Sequence, residues 1–359
     1  MRQSGGGTGV KDNGPEVLVT LEDGSAALVP EGLIYVSDAD PGISRRRCGK
    51  GFVYRGPDGR LLDKGERQRI LKLGIPPAYE RVWICRLENG HLQATGFDAR
   101  GRKQYRYHPH WGSWRSEAKY SQLVPFGSAL GRLRRRVARD LQGEAGELDF
   151  SLAALTMLID RTYLRVGTSA YASENKTFGA TTLLSRHMKL TEGEVRLSFR
   201  AKGGKKVQHT LRDKRLHRIL QEIGDLPGRN LFTYVTEEGE VRKVASHHVN
   251  AYLAEATGVP EATAKTFRTW GGSLAAFGAA RAAEGKLTAK MMAEAAAERL
   301  MNTPTISKAS YIHPRILSLA ELSPDARQEA LELVEPVGDH ELKAEERRML
   351  GFLSAEPPA

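Results

Sequence analysis

Residues 302–314 read NTPTISKASYIHP, and the reading of the C-terminal half turns on this stretch. Thr303 followed by Pro304 is a helix start. The threonine oxygen can accept from free N–H groups, and proline at the first helical position gives up no hydrogen bond. A short helix therefore carries Tyr311. The stretch before it, LTAKMMAEAAAERLM (287–301), is alanine-rich and strongly helix-favouring, so Asn302 is expected at its end, facing Tyr311 across a tight turn. Taken alone, a capping asparagine and a half-buried aromatic would produce the same pattern. The rest of the chain decides between that reading and a chemical one.

Upstream lie long helical stretches: GSALGRLRRRVARDL (127–141), SLAALTMLIDRTYLRVG (151–167), ASHHVNAYLAEATG (245–258) and TWGGSLAAFGAARAAEG (269–285). One hairpin interrupts them. VRLSFR (195–200) alternates apolar and polar side chains, AKGGK turns, and KVQHTL (206–211) returns. Residues 16–112 have a different texture, with strand-like EVLVTL, LIYV, VWICRL and HLQATGFD; the last two are joined through Glu88-Asn89-Gly90, a hairpin signal. A single helix, DKGERQRILKLG (63–74), is stopped by Pro76-Pro77. The expected fold is α+β: a flexible tail over 1–15, a small strand-rich N-terminal domain over 16–112, and a larger, mainly helical catalytic domain with a β-hairpin over 113–322. An acidic C-terminal tail over 323–359 is expected to be helical through DHELKAEERRMLGFL.

Composition narrows the function. The 359 residues carry Lys+Arg 54 against Asp+Glu 43, a formal net charge of +11, which favours a polyanionic partner such as nucleic acid. Two cysteines, Cys48 and Cys85, are too few for a disulfide framework and lack the partners of a structural zinc site, which fits a reducing cytoplasm. No window has the length and apolarity of a membrane span. AAEGKLT (282–288) lacks the leading glycine and the Ser/Thr of a phosphate loop, so no nucleotide site is expected. No metal is expected either: His108 with His110, and His247 with His248, lack a surrounding ligand constellation. A Ser/His/Asp hydrolase elbow is also missing.

The stretch ARGRKQYRYHPHWGSWR (99–115) interleaves basic, amide and aromatic side chains on one expected strand, with Gln104 and Arg106 on one face and Tyr105 and Tyr107 on the other. Lys103 and its neighbours would position phosphates, while Gln104 or a tyrosine could touch base edges. SRRRCGKGF (44–52) and GRLRRRVAR (131–139) are assigned general phosphate contact.

From GFVYRGPDGR (51–60) to YIHPRIL (311–317) the chain resembles the type IB DNA topoisomerases, in particular their compact bacterial and poxvirus forms. The resemblance rests on ordered motifs. LRVGTSAYASENKTFGATTL (164–183) is similar to the segment opening with the first catalytic arginine, here Arg165, and it places Tyr171 and Thr182 among the DNA contacts. FRAKGGKKVQH (199–209) is similar to the loop of the catalytic lysine, matching Lys202. KTFRTW (265–270) resembles the box of the second arginine, Arg268, with Lys265 one turn earlier as a DNA contact. NTPTISKASYIHP resembles the closing box, whose tyrosine nucleophile is Tyr311, and KQYRY matches the DNA-contacting strand. Asn302 stands where the poxvirus enzymes have histidine, as it does in bacterial forms, and the segment from Arg268 to Asn302 looks shorter than in its relatives.

What the resemblance implies is relaxation of supercoiled duplex DNA through a 3′-phosphotyrosyl intermediate. It implies a monomer clamped around DNA, needing no cofactor or ATP, in the cytoplasm on the nucleoid. Tyrosine recombinases share the nucleophilic chemistry and form the alternative. They usually place histidine three residues before the second arginine, where this chain has Lys265, and carry a helical N-terminal domain.

The chemistry asks for these residue types in its own right. A tyrosine hydroxyl attacking phosphorus keeps the bond energy in an ester, so resealing needs no ATP. With a reference pKa near 10, only about one tyrosine in a thousand is ionised at neutral pH. The site must therefore help remove the proton or neutralise the charge. Two arginines offer planar forks to the non-bridging oxygens, Asn302 adds a donor, and Lys202 on a Gly-Gly turn could protonate the leaving oxygen.

Overall fold

The computed structural model describes residues 17–20 and 26–355, apart from the side chains of 17–20, 26–28, 170 and 171. The expected tail over 1–15 lies outside the described residues. The chain divides into two compact units between Ala118 and Lys119. The domain bounds expected from the sequence are 16–112 and 113–322. The division instead falls inside one helix, because the stretch from Pro109 onward is already helical.

In the first unit, β1 (Val17–Thr20) pairs with β2 (Ala26–Val29). A five-stranded antiparallel sheet follows, built from β3 (Ile43–Cys48), β4 (Gly51–Arg55), β5 (Glu80–Ile84), β6 (Leu92–Phe97) and β7 (Lys103–Tyr107), in the order β4-β3-β5-β6-β7. Helix α1 (Lys64–Lys72) starts at Asp63, whose carboxylate accepts from the Glu66 N–H. It buries Ile70 against Ile43, Tyr54, Val82, Ile84 and Ala94. This small apolar cluster leaves β7 as an edge strand, in register Thr95 to Tyr105 and Phe97 to Lys103.

Helix α2 (Pro109–Ser121) leads into the second unit. There α3 (Leu123–Asp140), α4 (Leu148–Thr162) and α5 (Ser169–Asn175) precede a three-stranded sheet of β8 (Met188–Thr191), β9 (Glu194–Arg200) and β10 (Lys206–Arg212). Then come α6 (Lys214–Gly224), the β11 (Thr233–Val235) and β12 (Val241–Lys243) hairpin, α7 (Ser246–Thr257), α8 (Ala264–Ala282) and α9 (Ala289–Leu300). The chain ends with α10 (Pro304–Tyr311), α11 (Pro314–Leu317), α12 (Pro324–Glu332) and α13 (Ala344–Ser354).

The second core is aromatic where α3 meets α8. Phe126 stands edge-on to Phe267, with ring centroids 5.0 Å apart, and to Trp270 at 6.0 Å. Residues beyond 322 belong to this core: Arg327, Glu346, Met349 and Leu350 are buried. Arg134 of α3 binds Asp160 of α4 at 3.0 Å and Glu346 of α13 at 2.8 Å.

The basic run of α3 therefore differs from its expected role. Arg134, Arg135, Arg136 and Arg139 are all engaged by carboxylates of this same unit, because helical spacing turns them toward Asp160, Glu346, Asp339, Asp140 and Glu255. Arg45 of the SRRRC run likewise spends its guanidinium on the carbonyls of Ile75, Pro76 and Tyr79.

Candidate active site

Helix α4 ends earlier than the apolar pattern suggests, and that ending builds the site. Tyr163 takes a left-handed conformation (φ 53°) and closes the helix on the Ile159 carbonyl. Arg165 then lies in the following loop instead of on the helix. Its carbonyl and that of Val166 accept from the Ala180 and Thr181 N–H groups at 2.8 Å, pinning the loop against the turn at 180–182.

Helix α8 delivers Arg268 and makes room for its neighbours. A Cβ at Gly271 would sit 2.6 Å from the Tyr163 ring, and one at Gly272 would sit 2.5 Å from the Tyr311 carbonyl oxygen. The two glycines allow both tyrosines to press onto the helix. Arg268 is 3% exposed, and its Nη1 and Nη2 donate to the carbonyls of Tyr163 (2.5 Å) and Leu300 (3.3 Å).

Helix α9 closes with Met301 in the left-handed region, and the Asn302 N–H returns to the Ala297 carbonyl at 2.9 Å. Thr303 then caps α10 through the Ile306 N–H, with Pro304 at the first helical position. This tight turn is the one expected from the sequence. It sets Asn302 beside Arg165, whose Nη2 donates to the Asn302 Oδ1 at 3.3 Å. Tyr311, 9% exposed, ends α10 with its ring 4.9 Å from the Arg268 guanidinium carbon.

The electrostatics follow from this packing. Burial opposes charge on the Tyr311 phenol, yet Arg268, with Arg165 and Lys265, brings it below the ordinary tyrosine value. Burial also lowers Arg268, and Arg165 adds to that, while Tyr311 works against it. Two buried donors, Arg268 Nε and Asn302 Nδ2, have no hydrogen-bond partner among the described residues. Leaving such a donor unmet costs roughly 1–3 kcal/mol, so an external acceptor is the expected partner.

Lys202 lies at the exposed tip between β9 and β10, where Gly203 adopts φ 79°. The same turn carries Lys205, whose Nζ donates to the Asn302 carbonyl at 3.2 Å. That contact, on a residue which the pattern of three lysines did not single out, brings the hairpin tip to the site.

The expected DNA contacts separate into groups. Tyr105 and Tyr107 stack with centroids 6.0 Å apart, and each is 47% exposed. Their neighbours are engaged internally: Lys103 with Asp38 at 2.6 Å, and the Gln104 amide with Asp98 at 3.0 Å. Lys265 is exposed on α8, one turn before Arg268. Thr182 sits in the turn that holds the Arg165 loop. It is buried, and its hydroxyl accepts from the Gly179 N–H at 2.9 Å, which helps to shape the Arg165 loop. The Tyr171 side chain lies outside the described residues.

Comparison with known families defines a class, the enzymes that alter DNA topology. The sequence profile of the eukaryotic DNA topoisomerase I catalytic core matches residues 110–315, and that of the bacterial DNA topoisomerase IB N-terminal domain matches residues 51–98. The chain belongs to the type IB DNA topoisomerase family. It is 29% identical over 299 residues to DNA topoisomerase 1B of Acanthamoeba polyphaga mimivirus, covering 79% of this chain and 89% of that protein. DNA topoisomerase 1B of Vaccinia virus (strain Copenhagen) is 24% identical over 248 residues, 68% of this chain and 76% of the viral one. DNA topoisomerase I of Monkeypox virus gives the same identity and coverage. These matches favour the topoisomerase reading over the recombinase one.

Proposed function

We infer that the chain relaxes supercoiled duplex DNA through a phosphotyrosyl intermediate formed on Tyr311. The observation that carries this is the pair of buried, unmet donors, Arg268 Nε and Asn302 Nδ2, beside a buried tyrosine whose ionisation the surrounding cations favour. A phosphodiester brings the acceptors those donors lack. Its non-bridging oxygens would meet Arg165, Arg268 and Asn302, which stabilise the charge that builds up as the tyrosine oxygen attacks.

The phosphorus–O5′ bond breaks as the phosphorus–tyrosine bond forms, leaving a 3′-phosphotyrosyl ester and a free 5′ hydroxyl. Lys202 supplies the proton to the departing 5′ oxygen. Rotation of the freed end releases superhelical strain. The 5′ hydroxyl then attacks the ester, restoring the strand and the tyrosine. Each step conserves the bond count, so no nucleotide hydrolysis enters. The stacked Tyr105–Tyr107 pair on β7 offers an exposed aromatic face to the duplex. We assign the activity to a monomer acting in the cytoplasm on nucleoid DNA; among the described residues, no helix is long and apolar enough to cross a membrane.

Plasmid relaxation in EDTA without ATP tests this reading. Relaxation is expected, with a covalent adduct trapped by denaturant. Tyr311→Phe is expected to abolish both while still binding duplex, since the basic surface supplies most of the affinity. An absolute need for ATP, or exchange of strands between duplexes in place of relaxation, would overturn it.

A further inference from the structure

The backbone around the nucleophile is held from two sides. On one side Ser273 of α8 receives the His313 N–H at 3.0 Å and donates to the Tyr311 carbonyl at 3.4 Å. On the other, Lys119 of α2 donates its ammonium to the carbonyl of Ser310, the residue before Tyr311, at 3.0 Å. The last carbonyls of a helix have no intrahelical acceptor role left, and a cation there meets both the free oxygen and the negative end of the helix dipole.

Lys119 is itself fixed. Its Nζ lies 4.0 Å from the centroid of the Tyr120 ring, and that buried ring stands edge-on to His313 at 5.3 Å. The lysine thus rests in a half-buried niche whose walls are α2 and the segment around the nucleophile. An ammonium meant only for a passing phosphate would gain nothing from this enclosure, because burial works against its charge.

We propose that Lys119 is a positioning residue for the cleavage reaction, holding the last turn of α10 so that the Tyr311 hydroxyl meets phosphorus in line. The proposal rests on the functional reading above and adds to it a residue that lies outside the Arg165, Lys202, Arg268, Asn302 and Tyr311 set. Because a misplacement of about 1 Å at a reacting centre can cost roughly 10²-fold, one lost tether next to the nucleophile is enough to register in the rate.

The enclosure also makes the tether sensitive to pH. Burial, and secondarily the charge of Lys265 on α8, brings the Lys119 amine down to about 8. The Ser310 carbonyl and the face of the Tyr120 ring meet the ammonium directly, and the Tyr120 ring in turn stands against the His313 ring. As pH rises through about 8 the ammonium loses its proton, and a charge-assisted hydrogen bond becomes a weaker neutral one.

The test is single-turnover cleavage of a duplex whose cut strand loses its short 5′-hydroxyl fragment, using the full chain, Lys119→Met and Lys119→Arg from pH 6.5 to 9.5. Duplex affinity is measured at several salt concentrations alongside. Lys119→Met is expected to cleave about 10- to 100-fold more slowly with affinity and salt slope unchanged, and Lys119→Arg is expected to recover most of the rate. The ratio of parent rate to Lys119→Arg rate should fall as pH passes about 8, since arginine keeps its charge there. Taking this ratio cancels the titration of Tyr311 common to both proteins.

Parent-like cleavage by Lys119→Met overturns the proposal. So does a slower rate that comes entirely from weaker binding with a salt slope smaller by about one, which marks a phosphate contact. If Lys119→Met fails to fold by thermal unfolding, the ratio for Lys119→Arg decides, and a flat ratio across the range overturns it. A parent that forms no adduct at all overturns the functional reading itself, a result distinct from these.

Discussion

The Arg268 guanidinium carbon lies 4.9 Å from the centre of the Tyr311 ring, and both side chains are nearly sealed from solvent. A buried cation held against a buried phenol makes the phenolate the easier form to reach. Arg165 and Lys265 act in the same direction. Cleavage should therefore rise with pH as Tyr311 loses its proton and level off below the ordinary tyrosine range. Lys265→Met removes one of these cations, so its profile should move to higher pH. Single-turnover cleavage across pH measures this, and an unmoved midpoint would remove Lys265 from the account.

Lys202 is assigned the proton for the departing 5′ oxygen. Lys202→Ala should slow cleavage of ordinary DNA by about 10²- to 10⁴-fold. Sulfur at the bridging 5′ position departs as a thiolate, with a reference pKa near 8.5, and needs no proton. On that substrate the variant should approach the parent rate. Arg268→Ala should not be rescued, because its proposed partners are the non-bridging oxygens, which the sulfur leaves untouched. Equal slowness of Lys202→Ala on both substrates would make the lysine a phosphate-positioning group.

Asn302 joins three parts of the site: it accepts from Arg165, its carbonyl receives Lys205, and its amide nitrogen has no acceptor among the described residues. Loss of one such donor to a developing charge costs roughly 10²- to 10³-fold. Asn302→Ala should lose about that in cleavage rate, while Asn302→His, which restores a donor, should lose less. Thermal unfolding of both variants checks that folding is unaltered. If the alanine variant cleaves at the parent rate, the amide does not meet the phosphate.

The buried Glu346 belongs to the scaffold. Burial alone would raise its carboxyl, but Arg134 at 2.8 Å holds it below the ordinary value of 4.5. A lowered carboxyl contributes stability that is present above the unfolded value and lost as pH falls through the folded one. Glu346→Gln should therefore lower the unfolding free energy near neutral pH by about 3 kcal/mol. The gap between parent and variant should close as pH drops below 4.5. Denaturant unfolding at pH 7 and pH 3.5 measures both values. A gap that stays constant with pH would mean that the ion pair is not its source.

Much of the molecule was legible in the chain because its signals are local. The helix stop at 301–302, the Thr303-Pro304 start and the hairpin around Gly203-Gly204 depend on backbone preferences acting within a few residues. The order Arg165, Lys202, Arg268, Asn302, Tyr311 was equally open to reading as a linear pattern. What tertiary structure alone decided were the contacts between distant residues. The α4 stop at Tyr163 comes where its carbonyl is taken by Arg268, 105 positions away, and no local rule contains that bond. The arginines of 134–139 looked like a phosphate-binding run, yet they pair with carboxylates from α4, α7 and the C-terminal segment, because charge in a sequence has no direction until a helix gives it a face. Lys119 meets Ser310 across 191 positions, and Lys205 meets Asn302 across 97. A lysine's partner is fixed by which elements pack together, and that choice belongs to the whole core.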